Sequence, residues 1–277
     1  MAGKTWFITG ANRGLGLEMA RAALAAGENV VAAARDGGAM AKALPGDRVL
    51  AVSCDVSNDA QVAKAVEAAL ERFGRIDVLV NNAGYGQMGM FEELTPEDYA
   101  RQYETNFFGL MRVTRAVLPV MRRQRSGHVF NLSSVAGVIT FPAASAYCSS
   151  KFAVEGFSEA LAQEVAPFNI HVTIVAPGGF RTDFLDASSI RYAAPSVPDY
   201  AEEMSKKIAG HKKGNHQQPG DPAKLGAALV RLANEKQPPL RFAAGTDAVA
   251  AVERKIAQLQ TELDQWRALS SSLAFDS

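Results

Sequence analysis

A chain of 277 residues, nearly half of them hydrophobic, carries enough apolar mass to bury a large core as a single α/β domain. Its 29 basic and 29 acidic residues cancel, which removes the net field that draws proteins to nucleic acid or to a membrane surface. Two cysteines, Cys54 and Cys148, make no disulfide framework and fit a reducing compartment, so a cytoplasmic location is expected.

The opening MAGKTWFITG has too short an apolar run for a secretory signal. It contains the first predicted strand, 5–9, where Trp6, Phe7, Ile8 and Thr9 favour extended backbone. TGANRGLG follows at 9–16, and Leu17, Ala20 and Leu24 then share one stripe of a helix predicted over 14–26. A glycine-rich turn between strand and helix leaves backbone N–H groups free at the positive end of the helix dipole. Phosphate can sit there because no side chain holds it off. Alone, the same glycines could make a tight turn that binds nothing.

Further strands are predicted at 29–34, 49–53, 76–80, 128–132, 171–176 and 240–243, and helices at 59–73, 96–123, 146–165 and 222–234. Runs such as Asp77-Val78-Leu79-Val80 are continuously apolar after the first residue, as in strands covered on both faces. The alternation predicts a doubly wound parallel sheet of Rossmann type, about seven strands with helices on both faces, in one domain. Ligands of such sheets bind beyond the carboxyl ends of the strands.

Three stretches depart from the repeat. Residues 126–150 lack any Asp, Glu, Lys or Arg apart from their flanks, yet their serines, Asn131, His128 and Pro142 rule out a spanning helix and suggest a strand followed by a buried active-site loop. Residues 183–221 are poor in strand signals and long enough to be a lid. Inside them His211-Lys212-Lys213-Gly214-Asn215-His216 lacks a third ligand or a wider basic patch, so it reads as a solvated turn without metal or nucleic acid. Finally, 247–269 sets Val249, Val252, Ile256, Leu259, Leu263 and Trp266 at steps of three and four. That is an amphipathic helix, expected to pack on the body, with a subunit contact as the alternative.

Gly10-x-x-x-Gly14-x-Gly16 is neither the G-x-G-x-x-G fingerprint nor a P-loop. Asp55 stands in CDVS, Asn81-Asn82-Ala83-Gly84 after the fourth main strand, Asn106 in ETNFFG and Ser134 in NLSSVAG. Tyr147 and Lys151 make YCSSK, and Pro177, Gly178 and Thr182 lie in PGGFRTD. In this order the motifs resemble the short-chain dehydrogenase/reductase family, in its single-domain branch that includes hydroxysteroid and retinol dehydrogenases. The resemblance runs through nearly the whole chain.

It implies a catalytic tetrad of Asn106, Ser134, Tyr147 and Lys151, with Asn106 distorting its helix and holding a water that passes protons toward Lys151. It also implies a dinucleotide seated on Gly10, Asn12, Arg13, Gly14, Leu15 and Gly16, with Asp55 and Val56 at the adenine and Asn81, Ala83 and Gly84 lining the cofactor. Pro177, Gly178, Phe180 and Thr182 would close over the nicotinamide end, with Lys151 on its ribose. A homodimer or homotetramer is the family expectation. Enoyl reductases of the family space tyrosine and lysine more widely, so this spacing favours C=O over C=C reduction.

The chemistry suits these groups. Lys151 lies one helical turn from Tyr147, and a nearby cation should lower the phenol from about 10 toward working pH. Tyr147 would exchange a proton with the substrate oxygen while Ser134 holds that oxygen by a hydrogen bond. At the end of the second strand Ala34 occupies the place of an NAD-selecting acid and Arg35 follows it. With Arg13 it favours NADP over NAD, Asp36 being the dissenting charge. Tyr85, Gly86, Val138, Phe141, Phe180, Phe184 and parts of 184–200 should border a hydrophobic carbonyl or alcohol, beside Ser134 and Tyr147. The alternative is a catalytically silent NADP sensor. A scaffold built on the C-terminal helix is a third reading.

Overall fold

The computed structural model describes residues 3–275. In chain order its elements are β1 (Thr5–Thr9), α1 (Gly14–Ala25), β2 (Asn29–Ala34), α2 (Gly37–Ala43), β3 (Val49–Ser53), α3 (Asp59–Phe73), β4 (Val78–Asn81) and β5 (Gly86–Met88). There follow α4 (Pro96–Tyr103), a π-helical segment (Glu104–Gly109), α5 (Leu110–Gln124), β6 (Gly127–Leu132), α6 (Ser145–Val165) and β7 (Ile170–Pro177). The last elements are β8 (Ile190–Tyr192), α7 (Ala201–Gly214), α8 (Pro222–Leu232), β9 (Arg241–Ala244) and α9 (Thr246–Ser271).

Seven strands form one sheet in the order β3-β2-β1-β4-β6-β7-β9, every pairing parallel. Alternate side chains of each strand face opposite layers, which is why the runs are apolar throughout. Phe7, Leu79 and Val129 meet α3, α5 and α6 on one side. Trp6, Ile8, Val80 and Phe130 meet α1, α2 and α8 on the other. The winding reverses between β1 and β4, so a crevice opens at their carboxyl ends.

Several expectations need correction. The helix predicted over 96–123 is divided by the π-helical segment at Glu104–Gly109. The strand predicted at 76–80 begins at Val78, because the Asp77 carboxylate is engaged by Arg75 and by the amide of Thr5. Residues 183–221 hold more order than expected: β8 pairs with β5, and α7 follows. His211, Lys212 and Lys213 belong to α7 and not to a turn.

The C-terminal helix departs most. It forms as predicted, but only Ala248 and Ala251 are buried, and its apolar stripe is not packed on the body.

Helices α1 and α8 cross closely over β1. A β-carbon on Gly226 would stand 2.7 Å from the carbonyl oxygen of Glu18, which is backbone and cannot swing aside. Gly226→Ala is therefore expected to destabilise the fold by about 1–3 kcal/mol, as overpacking does. Urea denaturation checks this, and an unchanged midpoint would contradict the close crossing.

Candidate active site

The crevice is built from the end of β1 outward. Gly10 and Gly14 have φ of 64° and 53°, the left-handed region that side chains rarely adopt. A β-carbon on Gly16 would lie 2.3 Å from the carbonyl oxygen of Gly10, so the turn closes against the helix only without one. No side chain caps the start of α1, leaving its first N–H groups to a ligand. The Asn82 amide donates to the carbonyls of Thr9 and Gly10 at 3.0 and 3.2 Å and ties β4 to the turn.

From this turn a cavity of about 790 Å³ runs along the carboxyl edge of the sheet. Arg35, Asp55 and Val56 line one end, and Ser134, Phe141, Tyr147, Lys151 and Phe184 the other. Gly10, Asn12, Arg13, Gly14, Leu15, Ala83, Gly84, Tyr85, Pro177, Gly178, Phe180 and Thr182 also face it. The Asp55 carboxyl is held below its usual range, first by a hydrogen bond from the Ser57 hydroxyl and, more weakly, by Arg35 and Arg112 against the opposing effect of burial.

Tyr147 and Lys151 rise from the first turns of α6, one above the other. Tyr147 is buried, and Ser134 is the polar side chain that acts on its hydroxyl. Ser134 Oγ accepts from the amide of Ala136 at 3.1 Å, which fixes its rotamer. Lys151 is buried too, with Nζ donating to the Leu132 carbonyl at 2.7 Å and standing 5.9 Å from the Tyr147 ring centre. Asn106 sits in the π-helical segment, where its side-chain amide accepts from the Tyr85 N–H at 3.1 Å and donates to the Tyr85 carbonyl at 3.0 Å. A π turn holds more residues than an α turn, which re-aims the side chains it carries.

One electrostatic expectation is overturned. Burial pushes the Tyr147 phenol up to about 12, with Ser134 pulling down and Cys148 pushing further up. Lys151 does not lower it, because burial drives Lys151 itself down to about 8 against the pull of Glu155. Removal from water outweighs the mutual attraction of the two groups.

Five residues expected in the site do not line the cavity. The Asn81 amide donates at 2.9 Å to Thr114 Oγ1 and to Asn131 Oδ1 inside the sheet, and Asn82 takes the cavity position. Gly16 is held under the turn, Gly86 lies in β5, and Val138 is set back from the cavity wall. Asn106 is the fifth: its amide is taken up by the Tyr85 backbone, so it stands behind that wall. Arg13 lines the cavity but is engaged by the 183–221 segment, donating to Ser188 Oγ at 2.6 Å and to the Ser188 carbonyl at 2.9 Å. Arg35 is exposed at the end of β2.

Sequence reasoning missed Arg191, whose guanidinium lies 5.2 Å from the Tyr85 ring centre, and Gln218, whose buried Oε1 has no partner. Arg191 belongs to a three-residue strand, too short for periodicity to reveal. The structure also brings Asp183 and Asp186 beside His216, with ligand atoms within 4.8 Å of one another. The expectation that this histidine lacks further ligand atoms is thereby corrected. Asp186 already accepts from Asn215 at 2.5 Å.

Residues 4–192 match the family model described as short chain dehydrogenase. The chain is 41% identical over 274 residues to the oxidoreductase BOA17 of Botryotinia fuckeliana, covering 98% of this chain and 99% of that protein. A short-chain dehydrogenase from Streptomyces avermitilis superposes with a TM-score of 0.89 at 41% identity, over 99% of this chain and 100% of that one. A short-chain dehydrogenase/reductase from Burkholderia phymatum, solved in complex with NAD, gives 0.80 at 27% identity, over 93% and 95%.

The buried lysine has a measurable consequence. Native Lys151 loses its proton near pH 8, whereas the unfolded chain keeps it to about 10.4. Between those values the unfolded state binds more protons, so this group makes stability rise with pH. Tyr147 acts oppositely above about pH 10, where the native phenol keeps a proton that the unfolded chain loses. Urea titrations of wild type and Lys151→Met are expected to show wild type gaining relative stability from about pH 8 to 10. A pH-independent difference would contradict burial as the dominant effect.

Proposed function

The chain belongs to the short-chain dehydrogenase/reductase family of oxidoreductases, and on that premise we propose that it interconverts a hydrophobic ketone or aldehyde and its alcohol, using NADP(H). The observation that carries this reading is a single cavity with an uncluttered glycine turn at one end and Ser134, Tyr147 and Lys151 at the other. A dinucleotide fits the residues present, because the turn can close only without side chains at Gly10, Gly14 and Gly16 and leaves the α1 amides open. Gly10, Asn12, Gly14 and Leu15 would hold the diphosphate, Asp55 and Val56 the adenine, Lys151 the ribose, and Pro177 to Thr182 the nicotinamide end. When bound, the nicotinamide supplies or accepts the hydride.

The chain's own residues do the rest. Ser134, its rotamer fixed by Ala136, holds the substrate oxygen, and that bond strengthens as charge grows there. Tyr147 gives its proton to the oxygen in reduction and takes one in oxidation. A phenol kept neutral by burial suits the donor role. Lys151 restores the proton from the solvent side, with Asn106 shaping the π turn beside it. Tyr85, Phe141, Phe184 and Leu185 surround the substrate end and favour an apolar substrate, with Arg191 at its rim.

Arg35 supports NADP over NAD, standing exposed where the strand carries Ala34 and no acid. Arg13 contributes only if it leaves Ser188. Residues 183–221 act as the lid. Among the described residues no helix is long and apolar enough to cross a membrane, and we place the protein in the cytoplasm as a homo-oligomer acting on a small molecule.

Two measurements test this reading. A panel of hydrophobic ketones, steroids and aromatic aldehydes should consume NADPH, and Tyr147→Phe should lower kcat by about 10²–10⁴-fold while still binding NADPH. If wild type binds NADPH but consumes it no faster than Tyr147→Phe on any of these compounds, the protein is a sensor. Arg35→Ala should raise KM for NADPH by about 10–100-fold, the worth of a lost charged hydrogen bond, and leave NADH unaffected. Wild type preferring NADH would overturn the NADP assignment.

A further inference from the structure

Helix α9 presents a face that its own body leaves open. Ile256, Leu259, Leu263 and Trp266 are 62%, 50%, 52% and 56% exposed, and Val249 is 44% exposed. These positions are not scattered. Val249, Ile256 and Leu263 repeat every seven residues, and Val252, Leu259 and Trp266 repeat three places later, the a and d pattern of a helical zipper. At 1.5 Å per residue the 26-residue helix is about 39 Å long, and its buried residues, Ala248 and Ala251, are confined to its beginning. A contiguous apolar face of this kind marks an interface.

We propose that α9 docks on α9 of a second copy of this chain, the two helices antiparallel about a twofold axis passing between Ala257 and Gln258. An antiparallel seam sets each a residue against a d residue of the other helix. With this axis Val249 meets the partner subunit's Trp266, Val252 the partner subunit's Leu263, and Ile256 the partner subunit's Leu259. The twofold repeats all three contacts. The largest side chain is thereby matched to a small one, as close packing requires.

Charge selects this register. Lys255 flanks the seam and meets the partner subunit's Glu262, twice by symmetry. Sliding one heptad one way sets Glu262 against its own copy; sliding the other way sets Lys255 against its own copy. The second alternative has only like charges to show for it. The first also sets Glu253 against the partner subunit's Arg267, but it leaves Val252 facing the partner subunit's Ser270 and Val249 facing a position beyond the end of the helix. Seam length and charge together therefore favour the register described first. Most of this stripe lies beyond Asp247, the α9 residue that accepts from the cavity-lining Gly179 amide, and its residues take no part in the redox reading.

Light scattering after size exclusion, on the full chain at micromolar concentration, tests it. Leu259→Glu, at a half-exposed position that leaves the core untouched, is expected to halve the mass of the wild-type assembly without changing the melting temperature of the separated subunits by more than a few degrees. Lys255→Glu should weaken association by about tenfold, and Lys255→Glu combined with Glu262→Lys should restore it, since the swapped charges again meet. A monomeric wild type, or a mass unchanged by Leu259→Glu, overturns the proposal. Loss of assembly in Leu259→Glu with none in Lys255→Glu overturns the antiparallel register. Turnover with NADPH, measured on the same substituted proteins, reports on the redox reading separately.

Discussion

Strands β1 and β4 run side by side but send their chains to opposite halves of the sheet, and something must hold their carboxyl ends together. The Thr9 hydroxyl does so, accepting from the amides of Asn82 and Ala83 at 3.0 and 3.1 Å and donating to the Val80 carbonyl at 3.3 Å. The Asn82 amide adds two bonds to the carbonyls of Thr9 and Gly10. Each of these groups would otherwise be a buried polar atom without a partner, at a cost of about 1–3 kcal/mol. The clamp fixes where the glycine turn stands, and the turn in turn fixes the mouth of the cavity. Everything chemical in the molecule is placed relative to that junction.

At the far end of the cavity, burial governs the ionisable groups more than their mutual charges do. A phenol and an ammonium one helical turn apart would, in water, favour ionising as a pair. Instead burial pushes each toward its neutral form, for the lysine against the pull of Glu155 and despite a donor bond to the Leu132 carbonyl that suits the ammonium. Near neutral pH the phenol therefore keeps its proton, while the lysine, brought down to about 8, still carries its charge but gives it up within reach of mildly basic solution.

The parts of the fold that the sequence displays are those with long runs or fixed local chemistry. Seven strands covered on both faces read as apolar runs, and the order of the Gly10, Asp55, Asn106, Ser134, Tyr147 and Lys151 motifs reads directly. Three-residue strands such as β5 and β8 carry no periodicity, and α2 is too short and glycine-rich to announce itself. The π turn is invisible because its residues suit an ordinary helix. Asn81 and Asn82 are adjacent and chemically identical, so only the alternation of the strand decides which faces the sheet and which the cavity. The stripe on α9 is plain in sequence, yet whether a body covers it depends on the direction in which β9 delivers the helix.

Helices α1 and α8 share one face of the sheet, where Met19, Ala20 and Ala23 lie alongside Leu225 and Leu229 over Trp6 and Ile8. The first strand is thus roofed in part by residues that follow Pro222. During synthesis, the N-terminal segment stays without that half of its cover until nearly the whole chain has emerged, and contacts so distant in sequence are slow to form. The nascent chain must keep an indole and a run of alanines from premature company for most of its translation.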